Sequence, residues 1–323
     1  MYLTFCKFKY TCAMLLEIPK TPVEELTTPF LEFQKIRIFI KREDLNDPLL
    51  IGNKFRKLKY NIMAAREVGA DTLLTYGGAY SNHIFATAAA GKRYGFKTIG
   101  LIRGDELNAN SNPTLKAAAD FGMTFVFLSR QKFSDFKSHL TFPIHLKGKI
   151  YTLPEGGTNR EAIQGCAEII EEITIPFDIL CTPIGTGGTM VGLLKGLAGQ
   201  KEVWGFSALK GNWMDDYIKT LLIQEKMKVT NFRTFSENDF GGYGKFNSTL
   251  INFIKWFHIE KKIALDPIYM GKMCFRVWEM LKNDQIAIGS TLVLLHTGGL
   301  QGIEGFNKRY HTELPTSNTG KKP

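Results

Sequence analysis

The stretch ILCTPIGTGGTMVGLL, residues 179–194, joins an apolar run to a glycine-rich loop and a helical pattern. The run Ile179–Ile184 is almost entirely apolar, which is typical of a strand in a parallel sheet covered on both faces. The loop that follows consists of Gly185, Thr186, Gly187, Gly188 and Thr189. Ligands of open α/β sheets bind beyond the carboxyl ends of the strands. The stretch therefore predicts a strand, a ligand-binding loop and a crossover helix.

This loop has the composition of a phosphate-binding site. Backbone N–H groups and hydroxyls next to a helix N-terminus suit an anion. No G-K-[ST] sequence follows, and Met190 occupies the last position of a G-x-G-x-x-G pattern, so a nucleoside triphosphate or a dinucleotide is disfavoured. The loop fits a single phosphate monoester better, and a plain flexible turn is the open alternative.

The same alternation of strand and helix extends along the chain. Further strands are predicted at Ile36–Lys41, Thr72–Tyr76, Thr98–Ile102, Thr124–Leu128, Val203–Leu209 and Thr291–His296. Helical patterns are found at Ile84–Tyr94, Pro113–Phe121, Arg160–Glu172, Met190–Ala198 and Gly271–Asn283. Alternation of this kind predicts an α/β fold with open, mostly parallel sheets and helices on both faces. The length of 323 residues favours about two such domains.

The composition excludes several classes of protein. Hydrophobic residues make up 44% of the chain and charged residues 22%, which is ordinary globular usage and excludes a disordered or collagen-like chain. No run of 18 apolar residues occurs, so we expect no membrane-spanning helix. No group of Cys, His or acidic residues has metal-ligand spacing, so we expect no metal.

The charge balance is basic, with 41 Lys and Arg against 31 Asp and Glu and a formal net charge of +10. One interpretation is a polyanionic partner such as nucleic acid. The other is a dispersed basic surface, or cations focused on one small anionic ligand. No long basic run occurs, and aromatic residues do not alternate with arginines as in an RNA-binding sheet. The sequence therefore predicts no nucleic-acid partner.

The cysteines favour a reducing cytoplasm. There are five, at Cys6, Cys12, Cys166, Cys181 and Cys274. The number is odd and no C-x-x-C occurs, and Cys181 lies in an apolar run, as a buried thiol does. Near the start, Lys7 and Lys9 interrupt the apolar region that a signal peptide needs. Met14 is an alternative start.

A basic cluster, Ile51–Lys59, precedes a helical pattern. Its cations are Lys54, Arg56, Lys57 and Lys59. Cations at a helix N-terminus oppose the helix dipole, and a bound phosphate or carboxylate would offset that cost. Mutual repulsion would also lower the pKa of one lysine and make it a better nucleophile. A solvated basic helix face is the alternative.

Three more junctions carry polar groups where strands end or helices begin. After Thr72–Tyr76 come two glycines and then Ser81, Asn82 and His83. Ser81 or Asn82 suits a helix N-cap, and His83 is either a base or a hydrogen-bonded bystander. The other two junctions are D-P-I-Y at 266–269 and H-T-G-G at 296–299. Several such loops are what one shared cleft needs.

In this order and combination, the motifs resemble the pyridoxal-phosphate enzymes of the tryptophan-synthase-β fold type. Within that group the chain is most similar to the D-cysteine desulfhydrase / 1-aminocyclopropane-1-carboxylate (ACC) deaminase family. The specific phrases are K-R-E-D at 41–44, G-N-K-x-R-K-L at 52–58 and E-G-G-T-N at 155–159. The likeness covers residues 21 to 310. It implies a large cofactor domain, residues 1–47 and 149–323, a small α/β domain, residues 48–148, and an active-site cleft between them.

The resemblance also implies roles toward the cofactor, pyridoxal 5′-phosphate. Lys54 matches the lysine that bonds covalently to the cofactor, and Lys57 matches a lysine near its phosphate, which the loop 185–189 would hold. Asn82 would donate a hydrogen bond to the 3′-oxygen of the ring. Thr297 would lie near the pyridine nitrogen.

Toward the substrate, the resemblance assigns Ser81 to the carboxylate and to the reacting carbon, with Asn82 and His83 beside it. Tyr243 and Tyr269 match two active-site tyrosines, so the expected catalytic groups are Lys54, Ser81 and these tyrosines. The implied activity is a deaminating lyase that converts a small amino acid to a 2-oxo acid and ammonia. Members of the family are usually homodimers.

One position departs from the family pattern. ACC deaminases place a glutamate after the second tyrosine, facing the pyridine nitrogen, whereas this chain has Met270. A thioether cannot hold a proton on the ring, which suits β-elimination better than opening of a cyclopropane ring. We therefore expect β-elimination of the D-cysteine desulfhydrase type. ACC deamination is the alternative, and a non-catalytic cofactor-binding or nucleic-acid-binding protein is the remote one.

Overall fold

A computed structural model describes residues 16–140, 148–236 and 240–316. The interpretations of Lys7, Lys9 and Met14, and those of Cys6 and Cys12, concern residues outside these ranges. The remaining cysteines, Cys166, Cys181 and Cys274, are buried free thiols, as predicted for Cys181. Within the described ranges, no helix has the length and apolar character that a membrane span requires.

The larger of two sheets has six strands. They are β1 (Val23–Leu26), β2 (Arg37–Lys41), β7 (Ile179–Ile184), β8 (Glu202–Ser207), β9 (Phe232–Phe235) and β10 (Thr291–Leu295). Their spatial order is β1-β2-β10-β7-β8-β9. Strand β1 runs antiparallel to β2, and all the other neighbours are parallel. The mostly parallel sheet expected from the sequence is confirmed.

The second sheet has four parallel strands, which lie between β2 and β7 along the chain. They are β3 (Thr72–Gly78), β4 (Lys97–Arg103), β5 (Met123–Leu128) and β6 (Ile150–Leu153), in the order β5-β4-β3-β6. Because β6 pairs with β3, this sheet extends beyond residue 148, where the sequence analysis ended the small domain. The small lobe therefore includes four residues that the prediction gave to the large domain.

Alternate residues of each central strand pack into different cores. Ile38, Ile40 and Leu292 belong to one cluster of buried side chains, whereas Phe39 and Val293 belong to another. Successive side chains of a strand point to opposite faces, so both faces of the sheet are covered. A fully buried side chain of this kind contributes about 1.5–3 kcal/mol. The near-continuous apolar strands follow from this double burial.

Helices cover both sheets. They are α1 (Pro29–Phe33), α2 (Asn53–Glu67), α3 (Asn82–Tyr94), α4 (Pro113–Asp120), α5 (Arg130–His139), α6 (Arg160–Ala167), α7 (Gly188–Leu197), α8 (Met214–Gln224), α9 (Ser248–Lys261), α10 (Met270–Lys282) and α11 (Gly302–Tyr310). Short 3-10 turns occur at Glu43–Leu45, Glu155–Gly157 and Glu168–Glu172. The predicted helix over Arg160–Glu172 is thus an α-helix followed by a 3-10 turn.

Two glycines allow three helices to pack closely beside the glycine-rich loop. A Cβ on Gly165 in α6 would lie 1.9 Å from the carbonyl oxygen of Arg56 in α2. A Cβ on Gly192 in α7 would lie 2.8 Å from the carbonyl oxygen of Ile163 in α6. Because only hydrogen fits at these points, α2 and α7 are held on either side of α6. This packing places the start of α2 next to the loop 185–189.

Candidate active site

A cavity of about 350 Å³ lies where the two sheets meet. Its wall includes Gly78 at the end of β3, Arg103 at the end of β4, Ile184 at the end of β7 and Thr297 just after β10. All four are carboxyl ends of parallel strands, where α/β proteins bind ligands. The cavity is therefore in the position that the sequence predicts for a shared cleft.

The structure brings nearly all the predicted site residues to this cavity. Those in its wall are Lys54, Lys57, Ser81, Asn82, His83, Gly185, Thr186, Gly187, Thr189, Tyr243, Tyr269 and Thr297. Gly188 is the exception among the predicted residues. It is buried as the first residue of α7, and its N–H donates to the carbonyl oxygen of Thr186 at 2.9 Å. Gly188 therefore shapes the loop from behind.

Lys54 lies in the first turn of α2, and its side chain faces the cavity. Its Nζ is 3.3 Å from Oδ1 of Asn53. Burial and, after it, the neighbouring charge of Lys57 lower the pKa of Lys54 from 10.5 to about 7. Near neutral pH a large fraction of this amine is unprotonated, which is the nucleophilic form.

Arg56 and Lys59, the other cations of the basic cluster, do not reach the cavity. The expectation that they contribute to its anion site is wrong. Lys59 pairs with Glu168 at 2.7 Å. Arg56 pairs with Glu43 at 2.7 Å and with Glu172 at 2.6 Å. The physical reason is helical geometry, because residues 54 and 57 lie on one face of α2 and residues 56 and 59 on another.

The pairs of Arg56 belong to a buried ion network that fixes the start of α2. The guanidinium makes two hydrogen bonds to Glu43, at 2.7 and 2.9 Å. Lys41 is also buried, and its Nζ lies 2.5 Å from Oε2 of Glu172 and 3.6 Å from Oε1 of Glu43. Two cations therefore share two carboxylates, and the chemical groups come from β2, from α2 and from two 3-10 turns. The network positions Lys54 without touching a ligand.

Replacing Glu43 with glutamine should destabilise the protein strongly. The substitution keeps the side-chain volume but leaves Lys41 and Arg56, both buried, with Glu172 as their one remaining carboxylate. Breaking a buried ion pair in this way costs about 3–5 kcal/mol. We expect the midpoint of urea unfolding of the Glu43→Gln protein to fall accordingly.

The matched control is Glu25→Gln, which removes a carboxylate from an exposed pair. The side chain of Glu25 is 38% exposed and that of its partner Arg37 is 54% exposed, with 2.8 Å between Oε1 and Nε. An exposed pair contributes only about 0–1 kcal/mol. Equal losses of stability in the two variants would show that the buried network is not what holds this region.

Lys57 places its ammonium group beside the backbone of the glycine-rich loop. Nζ of Lys57 donates to the carbonyl oxygen of Gly156 at 3.0 Å and to Oγ1 of Thr158 at 3.3 Å. A Cβ on Gly188 would lie 3.2 Å from the same Nζ. Gly187 has a φ of 75°, which suits glycine. A loop of this shape, with an ammonium group beside it, can hold a phosphate.

Ser81 and Asn82 begin α3 at the cavity. Oγ of Ser81 accepts the N–H groups of His83 and Ile84 at 3.2 and 3.4 Å, so Ser81 is the N-cap. Among the described residues nothing accepts its hydroxyl hydrogen, which can therefore be donated to a ligand. Oδ1 of Asn82 accepts from Nε2 of Gln301 at 2.6 Å. Gln301 thereby orients the Asn82 amide so that its NH₂ is the group offered as a donor.

His83 is 1% exposed, and neither of its ring nitrogens has a hydrogen-bond partner among the described residues. Burial holds the pKa of this imidazole well below 6.5, and the charges of Lys54 and Lys57 lower it further. The ring is therefore neutral and has one donor and one acceptor. Buried polar atoms without partners are costly, so a ligand that supplies partners would be stabilised here.

Tyr243 and Tyr269 form an edge-to-face pair with ring centroids 6.0 Å apart. Burial raises the pKa of Tyr269 well above 10, and the neighbouring Tyr243 raises it further. The hydroxyl of Tyr269 therefore stays protonated at neutral pH and can donate a hydrogen bond. A Cβ on Gly185 would lie 3.2 Å from the Tyr269 ring, so the loop is packed against this tyrosine.

Met270 is fully buried and is not part of the cavity wall. Its sulfur accepts the backbone N–H of Thr297 at 3.4 Å. Asp266 is also buried and accepts the N–H groups of Ile268, Tyr269 and Met270 at 2.8–3.0 Å. Both side chains hold the backbone around Thr297 and Tyr269, which do line the cavity.

Sequence reasoning missed several residues of the site. Arg103 and Glu155 line the cavity, Gln301 orients Asn82, and Asn53 donates to Oγ1 of Thr189 at 2.8 Å. Arg103 directly follows the predicted strand Thr98–Ile102, so the rule that found the other loops could have found it. The partners of Asn53 and Gln301 lie more than 100 residues away, and no local pattern indicates them.

The cavity fits a phosphorylated carbonyl cofactor. The loop next to Lys57 has to stay free of side chains, because a Cβ on Gly188 would lie 2.7 Å from Oγ1 of Thr158. Lys54 presents an amine that reacts with aldehydes, and His83 has two unpartnered nitrogens. Within the described ranges, no group of three or more Cys, His, Asp or Glu could hold a metal ion. Fold and cavity are those of a two-lobed α/β protein whose cavity can hold a phosphate-bearing cofactor beside a reactive lysine.

Comparison with known families identifies the cofactor. The sequence profile of the family described as "Pyridoxal-phosphate dependent enzyme" matches residues 14–298. The chain therefore belongs to the pyridoxal-phosphate-dependent enzymes, in agreement with the resemblance noted in the sequence, and pyridoxal phosphate is its cofactor.

Individual relatives agree with this assignment. The chain is 29% identical to a "Putative 1-aminocyclopropane-1-carboxylate deaminase" from Pyrococcus horikoshii, over 90% of this chain and 94% of that protein. It is 28% identical to the "Bifunctional D-cysteine desulfhydrase/1-aminocyclopropane-1-carboxylate deaminase, mitochondrial" of Arabidopsis thaliana, over 88% and 77% of the two chains. A solved structure described as an ACC deaminase homologue superposes with a TM-score of 0.75 and 26% identity, over 90% and 93%.

Proposed function

We propose that this enzyme is a lyase that deaminates a small amino acid and releases a 2-oxo acid and ammonia. The preferred reaction is β-elimination of the D-cysteine desulfhydrase type, and ring opening of ACC is the alternative. The relatives carry both activities in their names. One observation carries the proposal. The amine of Lys54, with a pKa of about 7, and the glycine-rich loop line the same cavity.

Pyridoxal phosphate supplies an electron-withdrawing ring that stabilises negative charge on the α-carbon of a bound amino acid. The chain's residues then have separate tasks. Lys54 would hold the cofactor, and its amine could take the proton from the α-carbon of the substrate. Lys57 and the loop 185–189 would hold the phosphate. The NH₂ group of Asn82, oriented by Gln301, would donate to the 3′-oxygen.

The substrate contacts follow from the start of α3. The free hydroxyl hydrogen of Ser81 and the N-terminus of α3 favour a carboxylate. Tyr269 stays protonated and can donate to a leaving group or move its proton there. Exclusion of water from this cavity strengthens each of these interactions.

The absence of a free acid near Thr297 supports β-elimination over ring opening. Among the described residues that line the cavity, the one carboxylate is Glu155, and Lys137 pairs with it at 2.5 Å. Met270, at the position of the glutamate of ACC deaminases, instead accepts the N–H of Thr297. Thr297 would give the ring a neutral hydroxyl as its partner and so leave it a weaker electron sink, and elimination of a good leaving group would need less electron withdrawal than ring opening.

A panel of small D- and L-amino acids together with ACC tests this proposal. We expect a yellow purified protein that releases sulfide and pyruvate from D-cysteine and yields no 2-oxobutyrate from ACC. The measurements are sulfide release and 2-oxo acid formation. Production of 2-oxobutyrate without sulfide would select the alternative, and a protein that binds no pyridoxal phosphate would contradict both.

We propose two further properties of the enzyme. It is a homodimer, as is usual in the family that the motifs resemble, and sedimentation velocity measures this. It acts in the cytoplasm, which the buried free thiols Cys166, Cys181 and Cys274 support because such thiols persist in reducing compartments. Imaging of a tagged chain in cells tests the compartment.

A further inference from the structure

Arg103 is a charged residue of the cavity wall with no task in the reaction described above. It ends β4 and is exposed. Its Nη2 would lie 3.6 Å from a Cβ on Gly78, and its guanidinium carbon lies 5.7 Å from the centre of the Phe133 ring. In the described parts of the chain, no carboxylate forms an ion pair with it. The guanidinium is thus held beside the loop that leads to Ser81 with its donors available.

The charges of the cavity wall show which of its cations have an anion to bind under the proposed function. The wall contains three cations, Lys54, Lys57 and Arg103, and one described carboxylate, Glu155. Glu155 is neutralised by Lys137 at 2.5 Å. Lys54 and Lys57 serve the cofactor under the proposed function. Of these three cations, Arg103 is therefore the one that can bind an anion other than the cofactor phosphate.

The position of Arg103 separates it from the carboxylate site at Ser81. Ala79 and Tyr80 lie along the chain between Gly78, which is next to the guanidinium, and Ser81, the N-cap of α3, and all of these residues line the cavity. Tyr243 is near as well. Burial raises the pKa of its hydroxyl, and the positive charge of Arg103 counteracts part of that rise. A ligand that reaches the α3 N-terminus with its carboxylate has Arg103 close to its remaining atoms.

We propose that Arg103 is a specificity-determining residue, which selects amino acids with a second anionic group on the side chain. A guanidinium binds carboxylate, sulfate or phosphate groups through two parallel hydrogen bonds. The proposal rests on the proposed function and names its substrate class. When such a group is also the leaving group, Arg103 would stabilise the anion as it departs.

The probes are O-sulfoserine and O-acetylserine, in the enantiomer that the enzyme accepts. In each case the α-proton is lost and the bond between Cβ and oxygen breaks, with its electron pair leaving on sulfate or acetate. Water then hydrolyses the resulting enamine to pyruvate and ammonia. The two substrates share the α-carboxylate and the product and differ in the charge of the side chain. Pyruvate formation therefore compares them directly.

We expect Arg103→Gln to lower kcat/KM for O-sulfoserine by about 10- to 100-fold, the size of a charge-assisted hydrogen bond. The value for O-acetylserine should change by less than about 3-fold. Arg103→Lys should retain an intermediate preference. The matched control is Arg130→Gln, which removes an exposed arginine from the start of α5, outside the cavity wall, and should affect neither substrate.

Three results would overturn the proposal. Equal losses for both substrates would place Arg103 at the shared α-carboxylate, and no loss would leave it a solvated residue. A weaker dissociation constant for pyridoxal phosphate would assign it to the cofactor.

Failure of the proposed function gives a different pattern. The same compounds are titrated into the holoenzyme, and the visible absorbance of the cofactor reports binding without turnover. If neither compound is turned over but Arg103→Gln still selectively weakens binding of O-sulfoserine, the lyase assignment fails and the role of Arg103 stands. If that selective weakening is missing, the role of Arg103 fails.

Discussion

Replacing Lys54 with alanine should abolish turnover and remove the visible absorbance of the holoenzyme. The side chain is the one amine of the cavity with a pKa near 7, and the proposed reaction uses it both to hold the cofactor and to move the α-proton. Proton transfer by a positioned group contributes about 10²–10⁴-fold, and loss of covalent attachment adds to that. We expect kcat/KM to fall by about 10⁴-fold or more.

Lys59 provides the matched control for this substitution. It lies on the same helix and pairs with Glu168 outside the cavity. Lys59→Ala should keep the yellow colour and most of the activity, at the cost of a partly exposed ion pair. A Lys54→Ala protein that remains yellow and active would place the reacting amine elsewhere.

The pH dependence of cofactor binding reports the same amine. The folded-state pKa of Lys54 lies at about 7, well below its ordinary value of 10.5, because of burial and then the charge of Lys57. The neutral, nucleophilic form therefore grows as pH rises through 7. We expect the rate at which the apoprotein binds pyridoxal phosphate to rise between about pH 6 and 8 and then level off. Stopped-flow absorbance measures it, and a midpoint near pH 10 would show an unperturbed lysine.

The central strands were predictable because burial on both faces gives them an unbroken apolar run. Ile179–Ile184 was placed correctly at both ends, and Thr72–Tyr76 is two residues shorter than the observed β3. Strands β1, β6 and β9 were not predicted. Each has four residues, and only two of these twelve residues are buried, Leu26 in β1 and Leu153 in β6. Such short strands depend on the neighbour that they pair with, which local sequence does not show.

The site was predictable where a residue type has chemistry that its local position reveals. Lys54, Ser81 and the glycine loop all occur at a strand end or a helix start, and all of these residues except Gly188 line the cavity. The prediction for Arg56 was wrong because a cation that binds a ligand and a cation that pairs with the protein's own acids have the same local sequence pattern. Those partners, Glu43 and Glu172, are 13 and 116 residues away along the chain. Which cations of α2 form ion pairs within the protein therefore depends on acidic residues that are distant in the sequence.

Gly52→Ala should damage stability and the site together, because two backbones touch at this residue. A Cβ on Gly52 would lie 2.1 Å from the carbonyl oxygen of Thr297 and 2.9 Å from Cα of Gly298. Gly52 also has φ 73° and ψ −149°, a conformation almost exclusive to glycine. Strain of about 1–3 kcal/mol and overpacking of about 1–3 kcal/mol both oppose the alanine. We expect a lower urea midpoint and weaker binding of pyridoxal phosphate.

Gly95→Ala separates these two causes. Gly95 has a φ of 76°, but no atom lies within 4 Å of the position that its Cβ would take. Alanine there meets left-handed strain of about 1–2 kcal/mol without a clash, and it lies at the far end of α3 from the cavity. Binding of pyridoxal phosphate should stay unchanged in Gly95→Ala and fall in Gly52→Ala. If both variants lose stability equally and keep full cofactor affinity, the contact between Gly52 and Thr297 does not set the position of Lys54. If the cofactor affinity falls in Gly52→Ala alone, the close approach of these two backbones is what carries Lys54 to the cleft.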